Sequence, residues 1–280
     1  ARVLSRYRLW LVAQIDQNHL FYLKLMSVDS IVSKKKIEGY QKVDEINGLK
    51  LYQSQDVKPI AYATNQLYSQ NQFQKLEYPY TLDTLYHQAI VKDGNNDYQS
   101  QFIKEDMGLK KEYQIKNNKK THINYQLNRK TNNEIIVIEG DVINHLPLQS
   151  VSITINGIKN KLSKSTSPYY NQNTHFTYLL TAQQLSISLS KGHYDLKNIQ
   201  TYSLNKNALK NIKVDPLSIN KGKDILNGTI NVSNDGYFIT RIPYDRGYQI
   251  LVDHQEVKSE VVNEAFLGCK IKKGKHQIQI

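Results

Sequence analysis

Cysteine is almost absent from the 280 residues, and Cys269 is the only one. A single cysteine excludes an intramolecular disulfide and any zinc site built on cysteine pairs. Alternation along Phe266–Ile271 places Cys269 on the same side as Ile271, which predicts a small buried hydrophobic residue. Because exported bacterial proteins also avoid cysteine, this scarcity does not assign a cellular compartment.

Long apolar runs are missing as well. The longest one near the start, Leu9–Ala13, is far below the ~20 residues that a membrane-spanning helix needs. The charged start is not followed by the apolar region of a signal peptide, and the first residue is alanine rather than methionine. We therefore expect the chain to be a segment of a longer protein.

Recognisable catalytic motifs are also lacking. The sequence has no His-Glu-x-x-His pair, no phosphate loop, no Gly-x-Gly-x-x-Gly and no Gly-x-Ser-x-Gly elbow. A glycosidase carboxylate pair needs no motif and could still converge in space, although the carboxylates are scattered along the chain. Examples are Asp83, Asp93, Asp141 and Asp245. We predict that this chain is not an enzyme and carries no catalytic residue, metal site or cofactor.

Acidic residues are outnumbered, since 37 Lys and Arg against 25 Asp and Glu give a net charge of +12. Such an excess attracts nucleic acid, anionic lipid head groups or phosphate-rich wall polymers. Nucleic acid is disfavoured, because the lysines are spread along the chain without a helix-turn-helix, zinc-finger or RNP signature. The densest basic stretch, Lys110–Lys130, is typical of a solvated polar face.

The 39% hydrophobic residues and 20 tyrosines are enough for a sizeable core. Residues 1–110 are predicted to form a small α/β subdomain. The pattern there indicates helical spacing from Leu4 to Ile15, short strands at Val28–Val32 and Leu49–Tyr52, and a helix around Leu82–Ala89. From residue 111 the period changes to two. Many short alternating strands then predict a mainly β fold, with an antiparallel β-sandwich or jelly roll over residues 111–280.

The β region contains a weak internal echo. The hairpin signal Asn156-Gly157 is followed by a strand that starts at Gly192, and Asp253-His254 is followed by one that starts at Gly274. Two related modules, 111–215 and 216–280, would explain this echo, and so would coincidence.

The most distinctive segment is Gly236–Tyr248. As a ligand site it would offer Tyr244 as a sugar-stacking platform, with Asp245 and Arg246 as hydrogen-bonding groups. As a purely structural element it is a tight strand connection, in which Asp245 bonds its own backbone. The pair Tyr169-Tyr170 could also stack on a sugar.

The same segment opens a longer resemblance. The sequence follows the order and spacing of the pattern G-Y-x-x-x-x-I-P-Y-D-x-G-W-x-x-x-V-D-G, with matches at Gly236-Tyr237, Ile242–Asp245, Gly247-Tyr248 and Val252-Asp253. An N-x-A-F-x-G pattern follows at Asn263 and a G-x-H-x-I pattern at Gly274. Leu25–Ser33 and Asn47–Tyr52 resemble upstream motifs. Together they resemble the YfhO-like bacterial membrane proteins. Tyr248 stands in place of the family's usual Trp and His254 in place of its turn Gly, changes that preserve strand and turn.

This resemblance implies a multi-spanning membrane protein similar to lipid-linked glycosyltransferases, some of which decorate lipoteichoic acid. Its catalytic carboxylate is expected in the membrane part, and no position here matches it. The chain is then an accessory domain on the extracytoplasmic face of the cell membrane, with its own membrane-spanning region as a partner and anionic wall polymer or lipid head groups as further ones. The alternatives are a free-standing carbohydrate- or wall-binding module and a purely structural domain.

The C-terminal residues alternate like a strand without a cap or polar tail. We predict that Lys275–Ile280 lies hydrogen-bonded in a sheet with Ile278 and Ile280 facing the core.

Overall fold

The computed structural model describes residues 20–95, 97–131, 133–210, 212–220 and 226–280. The described chain is mainly β with several antiparallel sheets, which confirms the predicted fold class. The helical pattern predicted from Leu4 to Ile15 lies outside the described residues.

The chain divides into two compact units. In the described part, one is the continuous stretch Phe102–Ala208, the insert unit, and the other combines Leu20–Gln101 with Leu209–Ile280, the split unit. The sequence predicts a linear division at residue 110 instead. The difference arises because a strand near Tyr62 pairs with one near Ile239, a long-range pairing that no local pattern reveals.

The split unit begins with short helices and strands, which fits the predicted small α/β start. Its helices are α1 (Leu20–Leu25), α2 (Gln70–Phe73) and α3 (Tyr80–His87). Its strands are β1 (Ser30–Ser33), β2 (Gln41–Ile46), β3 (Leu49–Gln53), β4 (Ala61–Thr64), β5 (Leu67–Ser69) and β6 (Ala89–Val91). β1, β3 and β2 form one antiparallel sheet in that order, and β5 pairs in parallel with β6.

The insert unit is a two-sheet antiparallel sandwich. Its strands are β7 (Ile103–Lys104), β8 (Tyr113–Asn117), β9 (Thr121–Gln126), β10 (Glu134–Asn144), β11 (Val151–Ile155), β12 (Ile158–Leu162), β13 (His175–Leu180), β14 (Gln184–Leu189) and β15 (Gly192–Asn205). One sheet has the order β13-β10-β15-β7, with β8 also on β15, and the other has the order β12-β11-β14-β9. Alternating side chains of both sheets meet in one hydrophobic core, as the period of two predicts.

The split unit continues after the short 3-10 helix Lys206–Leu209. Its remaining strands are β16 (Asp215–Pro216), β17 (Ser218–Ile219), β18 (Asn227–Val232), β19 (Gly236–Pro243), β20 (Ile250–Val252), β21 (Gln255–Val257), β22 (Glu260–Val262), β23 (Phe266–Ile271) and β24 (Gly274–Gln279). Two five-stranded sheets result, β16-β4-β19-β23-β22 and β17-β18-β24-β20-β21. Their facing side chains share a core that includes Cys269, whose predicted burial is confirmed.

Six strands of each unit pair in the same order. In the insert unit, β9 pairs with β14, β10 with β13, and β11 with both β12 and β14. In the split unit, β18 pairs with β24, β19 with β23, and β20 with both β21 and β24. β15 lies beside β10, whereas β4, from far earlier in the chain, lies beside β19. The duplication of modules stays a prediction, and this shared pairing order favours it.

The sequence echo coincides only partly with these pairings. The two hairpin turns correspond, because Asn156-Gly157 joins β11 to β12 and Asp253-His254 joins β20 to β21. All four turn residues have positive φ, the geometry of a type I′ turn, so His254 does occupy the left-handed position expected of it. Gly192, however, begins β15, whereas the strand that corresponds to β24 by pairing is β14.

The C-terminal strand prediction is confirmed. β24 pairs with β18 and β20, Ile278 is fully buried, and Ile280 packs against the same core. The chain turns at Lys272-Lys273, and this turn separates β24 from the preceding strand β23.

Candidate functional site

The predicted ligand residues Tyr244, Asp245 and Arg246 lie in the connection between β19 and β20. The Asp245 carboxylate accepts a hydrogen bond from the Gly247 backbone N–H at 2.8 Å, and its carbonyl accepts one from Tyr248 at 3.2 Å. Tyr244 packs against the core of the split unit, whereas Asp245 and Arg246 are exposed. The geometry is that of an Asx turn. A ligand role for these residues stays a prediction.

The second predicted pair lies in the loop between β12 and β13 of the insert unit. The Tyr169 side chain is 86% exposed, and Tyr170 lines a shallow depression beside Ser163 and Thr174. A ring as exposed as that of Tyr169 offers a full face for stacking on a sugar.

A basic cleft of about 440 Å³ lies at one end of the insert unit. Three parts of the chain form it: the end of strand β8, the β10–β11 loop and the β14–β15 turn. Its lining residues are Lys116, Asn117, Asn118, Leu146, Gln149, Lys191, Gly192 and His193. Among the described residues, this lining contains lysines, amides and an imidazole but no carboxylate.

Strand pairing fixes the basic cleft. β8 pairs with the start of β15, so that Asn117 lies opposite Gly192 and Lys116 opposite His193. The Tyr194 hydroxyl donates to the Ser190 carbonyl at 3.1 Å and pins the β14–β15 turn.

The opposite wall of the basic cleft is the β10–β11 loop. The Asn144 side chain accepts a hydrogen bond from the Leu146 N–H at 3.0 Å and donates one to the Gln149 carbonyl at 2.9 Å. At its edge the His145 and His193 rings lie 4.5 Å apart, and His145 contacts Asp195 at 3.0 Å.

One donor in the basic cleft has no acceptor. The side-chain nitrogen of Asn117 is buried and makes no hydrogen bond within the described structure. A buried donor without an acceptor is costly, and an oxygen atom of a bound ligand would satisfy it. The sequence missed this site because Lys116, Asn117 and Asn118 belong to the stretch interpreted as a solvated face. The other half of the cleft, Lys191–His193, comes from a distant turn.

A cluster of titratable groups lies elsewhere in the insert unit, where His175 bridges Asp141 at 2.8 Å and Glu139 at 3.3 Å. The hydrogen bond from Asn198, assisted by His175, lowers the pKa of Asp141 despite partial burial. Burial lowers the pKa of His175, but its hydrogen bonds to the two carboxylates raise it more. Each carboxylate is thus held in an ion pair between strands β10 and β13.

The insert unit also encloses an apolar cavity of about 150 Å³ between its sheets. Apolar cavities of about this volume accommodate a molecule of the size of benzene. In the part of the chain that the structure describes, no group of three or more His, Cys, Asp or Glu side chains could hold a metal ion.

The family model described as "Bacterial membrane protein YfhO" matches residues 6–280. The chain belongs to this family. A curated relative, "Uncharacterized protein YfhO" of Bacillus subtilis (strain 168), is 35% identical over 103 residues. That match covers 34% of this chain and 12% of the relative, so the chain spans a small part of the protein that it matches. No solved structure matches.

YfhO-family proteins are membrane proteins, as the family description states. Within the described residues, no helix has the length and apolar character needed to cross a bilayer.

Proposed function

We propose that this region is an accessory domain on the extracytoplasmic face of a multi-spanning membrane protein that takes part in glycosylation of a cell-wall polymer. In this proposal the basic cleft of the insert unit holds a sugar-phosphate polymer, such as lipoteichoic acid, while the chemistry takes place in the membrane part. The region's other partner is then that membrane-spanning part.

The composition of the basic cleft carries the proposal. Lys116 and Lys191 supply positive charge, and none of the described lining residues is a carboxylate that would neutralise it. The amides of Asn117, Asn118 and Gln149 supply the hydrogen bonds that sugar hydroxyls and phosphate oxygens require. The buried side-chain nitrogen of Asn117, which has no partner among the described residues, is a donor that an oxygen atom of a bound ligand would satisfy.

The proposal places no catalysis in this chain. Glu139 and Asp141, two carboxylates that share a partner, are both bridged by His175, so neither is free to act as a general acid. We therefore expect the 280-residue chain to hydrolyse or transfer no glycoside.

The alternative is a neutral-glycan module that uses Tyr169. The 86% exposure of this side chain favours stacking on a sugar ring rather than recognition of phosphate. The two functions differ in their response to salt, because exposed charge interactions are screened over ~8 Å at physiological ionic strength whereas stacking is not.

Binding of a poly(glycerol phosphate) oligomer by the 280-residue chain tests the proposal. Replacing both lysines, Lys116→Gln with Lys191→Gln, is expected to weaken binding about tenfold, because two surface charge contacts together contribute about 1.4 kcal/mol. Calorimetric titration at low and high salt measures the effect.

The matched control removes the same charge from the split unit, Lys34→Gln with Lys35→Gln, both exposed. It is expected to retain the affinity of the unchanged chain. Equal weakening by the two double variants would mean that only net charge matters and would contradict a site in the cleft. Tight binding of a neutral glucan that is lost in Tyr169→Ala would favour the alternative.

A further inference from the structure

The split unit buries two cations beside one tyrosine. Lys58 is 1% exposed and Arg241, on β19, is 8% exposed. The Lys58 ammonium donates to the Tyr62 hydroxyl at 3.3 Å, and the central carbon of the Arg241 guanidinium lies 5.4 Å from the centre of the Tyr62 ring. The pairing of β4 with β19 brings Arg241 close to Tyr62. In this pairing the backbone N–H of Arg241 donates a hydrogen bond to the Ile60 carbonyl.

Aromatic rings surround these two cations. The ring of Phe266 lies 5.6 Å from Arg241, and the ring of Tyr86 lies 5.7 Å from the Lys58 ammonium. The Tyr86 hydroxyl is already engaged with the Leu209 carbonyl, and burial raises the pKa of Tyr86, so this phenol supplies no negative charge.

No carboxylate of the described residues forms an ion pair with Lys58 or Arg241. Among the described residues, the three buried guanidinium nitrogens of Arg241 make no well-aligned hydrogen bond, although their contact with the Tyr62 hydroxyl lowers the pKa of that phenol. Other partly or fully buried cations of the chain do have polar partners. Arg129 is flanked by Glu105 and Glu134, and the buried Lys24 donates to the Asp56 carbonyl at 2.8 Å.

Two buried cations are energetically unfavourable when burial removes them from bulk solvent and no carboxylate of the described residues pairs with them. Burial lowers the pKa of Lys58, and Arg241 lowers it further. For Tyr62, burial raises the pKa, but Lys58 and Arg241 outweigh it and bring the pKa to about 8. Near neutral pH the phenol is therefore mostly uncharged, so it neutralises neither the Arg241 guanidinium nor a protonated Lys58.

We propose that Lys58, Tyr62 and Arg241 form an oxyanion site that takes a doubly charged phosphate group. The guanidinium fork, the ammonium and the phenol together present the donors that a tetrahedral oxyanion accepts. A carboxylate, with a single charge, would balance only one of the two cations. The ring of Phe266 lies beside Arg241 and is itself partly exposed, so we expect its displacement to open the path by which the anion enters. All these residues belong to the split unit, so the site is independent of the basic cleft.

Thermal unfolding of the 280-residue chain in phosphate and in chloride, at equal ionic strength and pH 7, tests this site. Phosphate is expected to raise the melting temperature of the unchanged chain by about 3 °C. The rise should disappear in Arg241→Met and persist in Lys270→Met, which removes an exposed cation from β23 of the same sheet. An equal rise in all three chains, or none in the unchanged chain, overturns the proposal.

A second measurement does not require a variant. Tyrosinate absorbance that grows near pH 8 in chloride reports ionisation of Tyr62, and a bound anion should shift this step to higher pH. If phosphate leaves the step in place, the phenolate itself is the counter-ion and the proposal fails. Inorganic phosphate and glycerol 3-phosphate are compared at equal concentration. A larger shift of the tyrosinate step by inorganic phosphate would mean that the site takes free phosphate, and a larger shift by glycerol 3-phosphate would mean that it takes esterified phosphate.

Discussion

Replacing Phe238 by alanine is expected to lower the free energy of unfolding of the split unit by about 4 kcal/mol. Phe238 is fully buried in the middle of β19, where it lies opposite Ala63 on one neighbouring strand and Cys269 on the other. Alanine leaves a cavity in a core built from two distant parts of the chain, and partial relaxation of the neighbouring side chains does not fill it. Urea unfolding followed by circular dichroism measures the loss.

Ile219→Ala is the control for this change. Ile219 belongs to the same unit but is 53% exposed, so its truncation should lower the free energy of unfolding by less than about 0.5 kcal/mol.

The discontinuous composition of the split unit leads to a second expectation. Because β4 and β19 are neighbours, Phe238→Ala should also loosen β4, and the amides of Ala61–Thr64 should exchange hydrogen faster. Destabilisation confined to the insert unit would contradict the division of the chain described above.

Local pattern predicted the strands of the insert unit well. Val151, Ile153 and Ile155 alternate with polar neighbours and are the buried face of β11, and Asn156-Gly157 has positive φ at both turn positions. The pairing of β4 with β19 was not predictable in this way. Alternation shows which face of a strand is buried but carries no information about which strand lies beside it.

The burial of Arg241 could not be inferred from alternation. Arginine side chains are mostly exposed in proteins, yet β19 is buried on both faces from Tyr237 to Arg241. A central strand covered on both sides has no solvent face, so a charged residue there is enclosed wherever it points. The basic cleft escaped prediction for a different reason, since only strand pairing brings Lys116 on β8 close to Lys191 in the β14–β15 turn.

Replacing Asp83 by asparagine is expected to destabilise the split unit by about 3 kcal/mol near neutral pH. Asp83 lies on α3 and is fully buried. One of its oxygens accepts hydrogen bonds from the Tyr98 hydroxyl at 2.8 Å, the Ser100 hydroxyl at 2.9 Å and the Gln101 N–H at 2.6 Å. Asparagine keeps the shape but removes the charge that these donors stabilise, and its amino group faces donors if it turns toward them.

The same carboxylate should give the split unit an acid-sensitive stability. Burial raises the pKa of Asp83, but the hydrogen bonds from His87, Gln101 and Tyr98 more than offset this and hold it below its ordinary value. Since the folded pKa is the lower one, the stabilisation is complete above the unfolded pKa of about 4 and is lost as pH falls through the folded value. Asp83→Asn removes this titration, so its stability should vary less between pH 5 and pH 2.

Asp93→Asn is the matched control, because Asp93 is exposed and lies a few residues beyond α3. It is expected to change stability by less than about 0.5 kcal/mol and to keep the acid response of the unchanged chain. Urea unfolding at pH 7, 5 and 3 compares the three chains. A loss below about 1 kcal/mol in Asp83→Asn, or an acid response equal to that of the unchanged chain, would mean that Tyr98, Ser100 and Gln101 are held by other contacts. In that case Asp83 would not be what fastens residues 98–101 to α3.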